Sequence, residues 1–405
     1  MKKTLFNSIL IALALIILPV ASFGQQQKAP KAPKYVFLFI GDGMSQAHIS
    51  LTEAYLSAQK GVIGNEPFSF TKFPVSGMSS TYSASSFITC SAAAGTAIST
   101  GSKTNNLMLG VDPAGNKLTS ITYKLKSRGY KIGIVTNVTL DQATPAAFYA
   151  NSLKRNSYYD IAVQLPLSGH DFFGGGGFNS PNGADNNQPN IYKLVADGGY
   201  KIVRGYEGMK GVSRGEKVVL VQSEGKEGDL PFSIDRKEGD LSLKQIVSSA
   251  IDHLYSPSGF FIVAEGGKID WSAHAHDGKT TILEVLDFAE AIDEAYEFYL
   301  KHPDETLIIV TSDHDTGGVS VGAKKGYNLN LKALDAQNAS MAIDPENLEK
   351  YEEMNTKASI GWTTTSHSGV AVPVYSVGAG SLNFTGRYDN TDIPKLIFKS
   401  MNIPF

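Results

Sequence analysis

Short apolar, β-branched runs alternate along this chain with longer stretches whose apolar residues recur every three or four positions. The runs predict strands at Tyr35–Ile40, Lys131–Thr136, Lys217–Val221, Phe260–Ala264, Thr306–Thr311 and Val372–Val377. Their nearly unbroken apolar character marks strands covered on both faces, as in a parallel sheet. Between two of them, Ile282, Val285, Leu286, Ala289, Ile292 and Tyr296 follow the spacing of a helix with one buried face. This alternation predicts an α/β protein: a three-layer sandwich around a large, mostly parallel central sheet. Two regions break the pattern. Residues 168–190, rich in Gly and Asn, read as a long surface loop. Residues 318–361 lack a strong period and read as a small inserted cap over one end of the sheet. No repeat or linker divides the rest, which predicts one domain over 34–405.

The first residues follow a different logic. Lys2 and Lys3 precede an apolar run, Ile9 to Val20, that ends in Ala21-Ser22-Phe23-Gly24 and three glutamines. A charged start, a short apolar centre and small residues at the end predict a secretory signal over 1–24 and a flexible leader over 25–33. The run falls short of the roughly 18 apolar residues a membrane span needs, so no stable membrane anchor is expected. No cysteine follows it, which argues against lipid attachment. Cys90 is the only cysteine. An exported chain with one cysteine has no internal disulfide, and its stability must come from its core and any bound metals. The signal and the cysteine count predict a periplasmic or secreted protein. With 36 basic against 39 acidic residues, no global excess of positive charge points to nucleic acid. The expected partner is a small molecule.

Polar residues gather where strands end. Tyr35–Ile40 runs into Gly41-Asp42-Gly43, Phe260–Ala264 into Glu265-Gly266-Gly267, and Thr306–Thr311 into Ser312-Asp313-His314. Ligands of parallel sheets bind beyond the carboxyl ends of the strands. Three acidic clusters meeting there would repel unless cations lay between them. Asp270 and His274, four apart, would share one face of a helical turn. Mixed histidine and carboxylate ligands suit zinc, and carboxylates with hydroxyls suit magnesium. A nucleophile candidate, Ser91, precedes the small residues Ala92-Ala93-Ala94-Gly95. Such residues let a helix begin in a crowded place, with its free N–H groups aimed at an anion.

Together these segments resemble the alkaline phosphatase family. The motifs arrive in the family's order: GDGM at 41–44, TCSAA at 89–93, QATPAA at 142–147, LKRN at 153–156, EGGKIDWSAH at 265–274, TSDHD at 311–315 and TSHSG at 365–369. The resemblance implies hydrolysis of phosphate monoesters through a phosphoserine at Ser91. It implies one zinc held by Asp270, His274 and His367, and a second held by Asp42, Asp313 and His314. A magnesium ion would rest on Asp42, Thr144 and Glu265, and Arg155 would grip the phosphate. Three positions depart from commoner family patterns. Cys90 stands where many members carry an aspartate that orients the arginine, Gln142 where others carry Asp or His, and Trp271 where Lys or His is frequent. A homodimer is in keeping with the family, although no residue identifies an interface.

Rival readings stay open at this point. A sulfatase would need C/S-x-P-x-R, and the chain has Cys90-Ser91-Ala92-Ala93-Ala94 instead. A phosphodiesterase of the same superfamily and a non-catalytic phosphate- or metal-binding protein remain alternatives. Of the other histidines, His276 reads as a bystander, His48, His253 and His302 receive no chemistry, and His170 is unassigned.

Overall fold

The computed structural model describes residues 32–405, so the predicted signal and nearly all of the leader lie outside the described residues. Ten strands form one sheet: β1 (Tyr35–Gly41), β2 (Val75–Ser80), β3 (Lys131–Thr136), β4 (Phe172–Gly174), β5 (Tyr200–Arg204), β6 (Lys217–Val221), β7 (Phe260–Gly266), β8 (Thr306–Thr311), β13 (Val372–Gly378) and β14 (Gly386–Asp389). Two small ribbons supply the others, β9 (Asp315–Thr316) with β12 (His367–Ser368) and β10 (Ser320–Val321) with β11 (Ile360–Gly361). The order across the sheet is β14-β2-β13-β8-β1-β7-β3-β4-β6-β5. All six predicted strands are present, and three of them, β1, β7 and β13, run slightly further than expected.

Covering both faces explains the apolar runs. Along β1, Val36, Leu38 and Ile40 pack into one buried cluster, whereas Tyr35, Phe37 and Phe39 pack into another on the opposite face. The Gly278–Lys301 helix covers the second face with Val285, Phe288, Ile292 and Ala295. Each fully buried Val, Ile or Phe side chain among these contributes about 1.5–3 kcal/mol.

One expectation needs correcting. The Gly-rich stretch is only partly loop, because its Phe172–Gly174 forms β4 between β3 and β6. Glycine is required there: a Cβ on Gly174 would lie 2.3 Å from Ile246 of the Leu243–Leu254 helix. His170 is buried beside Tyr123, with ring centroids 4.8 Å apart, and burial lowers its pKa to about 3. It is a neutral core residue.

Residues 318–361 contain the β10–β11 ribbon, short turns and the Leu348–Ala358 helix. Leu331, Leu334, Tyr351 and Met354 form a separate small core with Leu51 and Tyr55 of the Gln46–Gln59 helix. Among the described residues, no helix is long and apolar enough to cross a membrane.

Candidate metal centre and nucleophile

Strand order places the acidic residues together. β8, β1 and β7 are neighbours, with Ile40 in register with both Thr311 and Glu265. Their carboxyl ends therefore deliver Asp313, Asp42 and Glu265 to one edge. β13 alone in the large sheet runs antiparallel to its neighbours, pairing in opposite sense with both β8 and β2. The chain consequently enters β13 from that same edge, and His367, just before it, arrives at the acidic cluster. β12 then pairs His367 with Thr316 of β9.

Two groups of side chains present closely spaced ligand atoms: Asp42 with Asp313 and His314, and Asp270 with His314 and His367. His274 belongs beside the second, its Nε2 lying 3.3 Å from Asp270 Oδ1 and 3.2 Å from His367 Nε2. That contact follows from the Lys268–His274 helix, which turns positions 270 and 274 to one side. Three of the histidines are oriented from behind. His274 Nδ1 lies 2.7 Å from the Thr365 carbonyl and His367 Nδ1 2.8 Å from the Thr89 carbonyl, so each Nδ1 donates and each Nε2 is left for a ligand. His314 Nδ1 lies 3.3 Å from Thr316 Oγ1, which itself donates to Asp270 Oδ1 at 2.5 Å.

The Ser91–Thr100 helix begins at this centre, and Ser91 Oγ lies 3.1 Å from His314 Nε2. All ten helix residues are buried. Small side chains allow this, since a Cβ on Gly95 would sit 3.1 Å from that of Ala147. Arg155, Gln142, Thr144, Trp271, Asp42, Glu265 and Asp270 line a common cleft. Thr144 Oγ1 donates to Asp42 Oδ2 at 3.3 Å, and Thr136 Oγ1 donates to Glu265. The structure thus brings every predicted site residue to one edge of the sheet.

The electrostatics are those of a cation site. Burial, and then the charges of Asp313, Asp270 and Glu265, push Asp42 well above the usual carboxylate range. Burial followed by Asp270 raises Asp313 to about 8, and burial raises Glu265 to about 7. Burial would raise Asp270 as well, but the His274 hydrogen bond and the surrounding imidazoles hold it far below its ordinary value. Asp42 Oδ1 and Asp313 Oδ2 are buried and accept no hydrogen bond. Buried, unpartnered carboxylate oxygens are costly, and divalent cations between them would remove that cost. The donor set fits zinc at the two histidine-bearing groups and magnesium near Thr144 and Glu265.

Sequence reasoning passed over several residues here. Thr316 links the two ligand groups, Asn137 Oδ1 accepts the N–H groups of Gly267 and Lys268 at the entry to the Asp270 helix, and Asp315 takes a hydrogen bond from Ser368. No motif marks Asn137; Thr316 could have been suspected from its place directly after Asp313-His314-Asp315.

A serine at a helix start, facing mixed histidine and carboxylate groups beyond the strand ends of a mostly parallel sheet, is the arrangement of a metal-dependent hydrolase on an α/β sandwich. Residues 33–175 and 182–403 match the family model for alkaline phosphatase. The chain is 33% identical to alkaline phosphatase 4 of Bacillus subtilis (strain 168), over 94% of this chain and 90% of that one, and 30% identical to that organism's alkaline phosphatase 3, over 99% and 97%. The cold-active alkaline phosphatase of Shewanella sp. superposes with a TM-score of 0.81 at 27% identity, covering 91% of this chain and 99% of that one. The enzyme of the Antarctic bacterium TAB5, solved as a variant with Mg bound in its M3 site, superposes with a TM-score of 0.75 at 30% identity, covering 93% and 99%. The chain belongs to the alkaline phosphatase family.

Proposed function

We propose that this protein hydrolyses phosphate monoesters through a phosphoserine at Ser91. In this reading Asp270, His274 and His367 hold one zinc ion, Asp42, Asp313 and His314 hold another, and Asp42, Thr144 and Glu265 hold magnesium. The observation that carries it is the approach of Ser91 Oγ to 3.1 Å from His314 Nε2, at the meeting point of both ligand groups. When bound, the ions would favour the serine alkoxide, stabilise the leaving oxygen and lower the pKa of attacking water.

The chain's own residues supply the rest. Arg155 offers a planar fork for two non-bridging phosphate oxygens. The first-turn N–H groups of the Ser91–Thr100 helix lack helical partners and favour negative charge beside Ser91. Ser91 Oγ forms a bond to phosphorus as the ester P–O bond breaks, and the alcohol departs with a proton. Water then attacks phosphorus on the opposite side, the P–Oγ bond breaks, and inorganic phosphate leaves. A diester's second substituent would occupy an oxygen that Arg155 grips, so monoesters are preferred.

Gln142, a neutral amide in the cleft with Asp42, Thr144 and Glu265, adds no charge toward magnesium. The magnesium position is therefore the weakest of the three. The signal at 1–24 and leader at 25–33 would direct export, leaving 34–405 as the catalytic domain with its insertion near 318–361. Turnover of p-nitrophenyl phosphate by zinc- and magnesium-loaded protein should far exceed turnover of the bis ester and the sulfate. Absence of monoesterase activity in fully loaded protein would refute the proposal.

A further inference from the structure

The turn after the Lys268–His274 helix carries two residues that the proposed chemistry does not use, His276 and Asp277. His276 adopts a left-handed backbone, with φ 56°, which is uncommon for a residue with a side chain. Its carbonyl accepts a hydrogen bond from Asn355 Nδ2 at 2.7 Å. Its Nε2 donates to the Thr364 carbonyl at 2.8 Å. Its ring lies flat against Trp362, with centroids 5.1 Å and planes 7° apart. Asp277, fully buried, accepts from Gln337 Nε2 and from the Met341 N–H, both at 2.7 Å. The insertion thus grips the turn on one side, and the turn grips residues 362–364 on the other.

That second segment runs directly into His367. Its sequence, Trp362-Thr363-Thr364-Thr365-Ser366, has one large apolar side chain, and Thr363, Thr365 and Ser366 are exposed. Ordering such a stretch costs roughly 1–2 kcal/mol per residue, and its own polar side chains bury too little to offset this. Trp362 is its anchor. The ring packs over Gly317, where a Cβ would lie 2.6 Å from it, and against the small core of the insertion, while His276 stacks flat on it. The Thr365 carbonyl that orients His274 belongs to the same segment. A shift of these residues would therefore misplace two ligand atoms at once.

We infer that His276 and Trp362 form a clasp that holds His367 against Asp270 and His274, and that this clasp sets how firmly the Asp270–His274–His367 group retains its ion. His276 is a positioning residue, and Asp277 with Asn355 ties the clasp to the insertion. The inference rests on the metal assignment proposed above, and the control below separates the two. Groups that orient histidine ligands are typically worth about 10–100-fold in metal affinity.

Zinc-loaded wild-type protein challenged with a chelator should release two zinc ions over time. His276→Ala should release one of the two about 10–100-fold faster and leave the other unchanged. In a His367→Ala background, which keeps the Asp42–Asp313–His314 group, adding His276→Ala should leave zinc release unaltered. His276→Gln retains a donor of similar reach and should recover part of the loss; Trp362→Phe retains a ring and should stay near wild type, whereas Trp362→Ser should resemble His276→Ala. Release of both ions at wild-type rates from His276→Ala and Trp362→Ser overturns the clasp. So does equal acceleration of both ions together with a lowered melting temperature of the metal-free protein, since that reports general loosening. Wild-type protein that retains no zinc would overturn the metal assignment itself, and the clasp with it.

Discussion

Replacing Thr316 with valine isolates the link between the two ligand groups. The side chain is completely buried, and valine nearly matches its volume. Thr316 Oγ1 donates to Asp270 Oδ1 at 2.5 Å and faces His314 Nδ1 at 3.3 Å. Because the hydroxyl proton goes to the carboxylate, the oxygen accepts from His314 Nδ1–H, and this leaves His314 Nε2 directed toward Ser91, Asp42 and Asp313. A hydrogen bond to a charged group contributes about 1.5–3 kcal/mol, and a buried donor left without an acceptor costs about 1–3 kcal/mol. Valine loses both interactions, but the Asp270 oxygen keeps its His274 contact at 3.3 Å, which moderates the sum. Where the metal-bound state alone carries the net loss of about 2–3 kcal/mol, zinc binding weakens about 30- to 150-fold, which is the upper bound of the effect. Equilibrium competition against a chelator of known zinc affinity measures this directly. Thr316→Ser, which keeps the hydroxyl, should remain within a few-fold of wild type. If Thr316→Val binds both ions within about threefold of wild type, the link does not support the metal groups and the reasoning fails.

Ser91→Ala should lower phosphatase turnover by at least about 10³-fold while zinc content by elemental analysis stays at the wild-type ratio; substantial residual turnover would remove Ser91 from the nucleophile's role. Cys90 Sγ accepts the Leu107 N–H at 3.1 Å, and the Leu107 carbonyl accepts the Arg155 N–H at 2.8 Å, so the thiol braces the arginine only through the backbone. Cys90→Asp should offer the guanidinium a carboxylate and tighten inhibition by inorganic phosphate about tenfold, and an unchanged inhibition constant would contradict this. Metal-free protein should lose stability as pH rises. Glu265 and Asp313, at about 7 and 8, bind more protons folded than unfolded between about pH 4 and those values, so each favours the folded state at low pH and loses that contribution through the window. Melting temperatures of stripped protein should fall from pH 5 to 9 while the zinc-loaded protein shows no such fall; a flat profile for the stripped protein would count against the clustered carboxylates.

The sequence by itself determined the central strands, because strands buried on both faces must be apolar throughout and ligand-bearing polar residues can then appear only past their ends. Asp42, Glu265, Asp313 and His314 were legible for that reason, and Ser91 stood out through the small residues that let its helix enter a crowded place. Strand direction was not legible. Hydrophobicity reads the same either way along a strand, so only the folded sheet showed that β13 is reversed and that reversal delivers His367 to the acidic edge. The Gly-rich stretch misled because its glycines masked a short buried strand: β4 buries Phe172 and Phe173 in the cores on the two faces of the sheet, and Gly174 lets a helix approach. The partners that Thr316 and the His276–Trp362 clasp engage were decided by tertiary structure alone. Each acts through one or two hydrogen bonds or a ring contact between segments distant in sequence, and neither spacing nor composition records such a pairing.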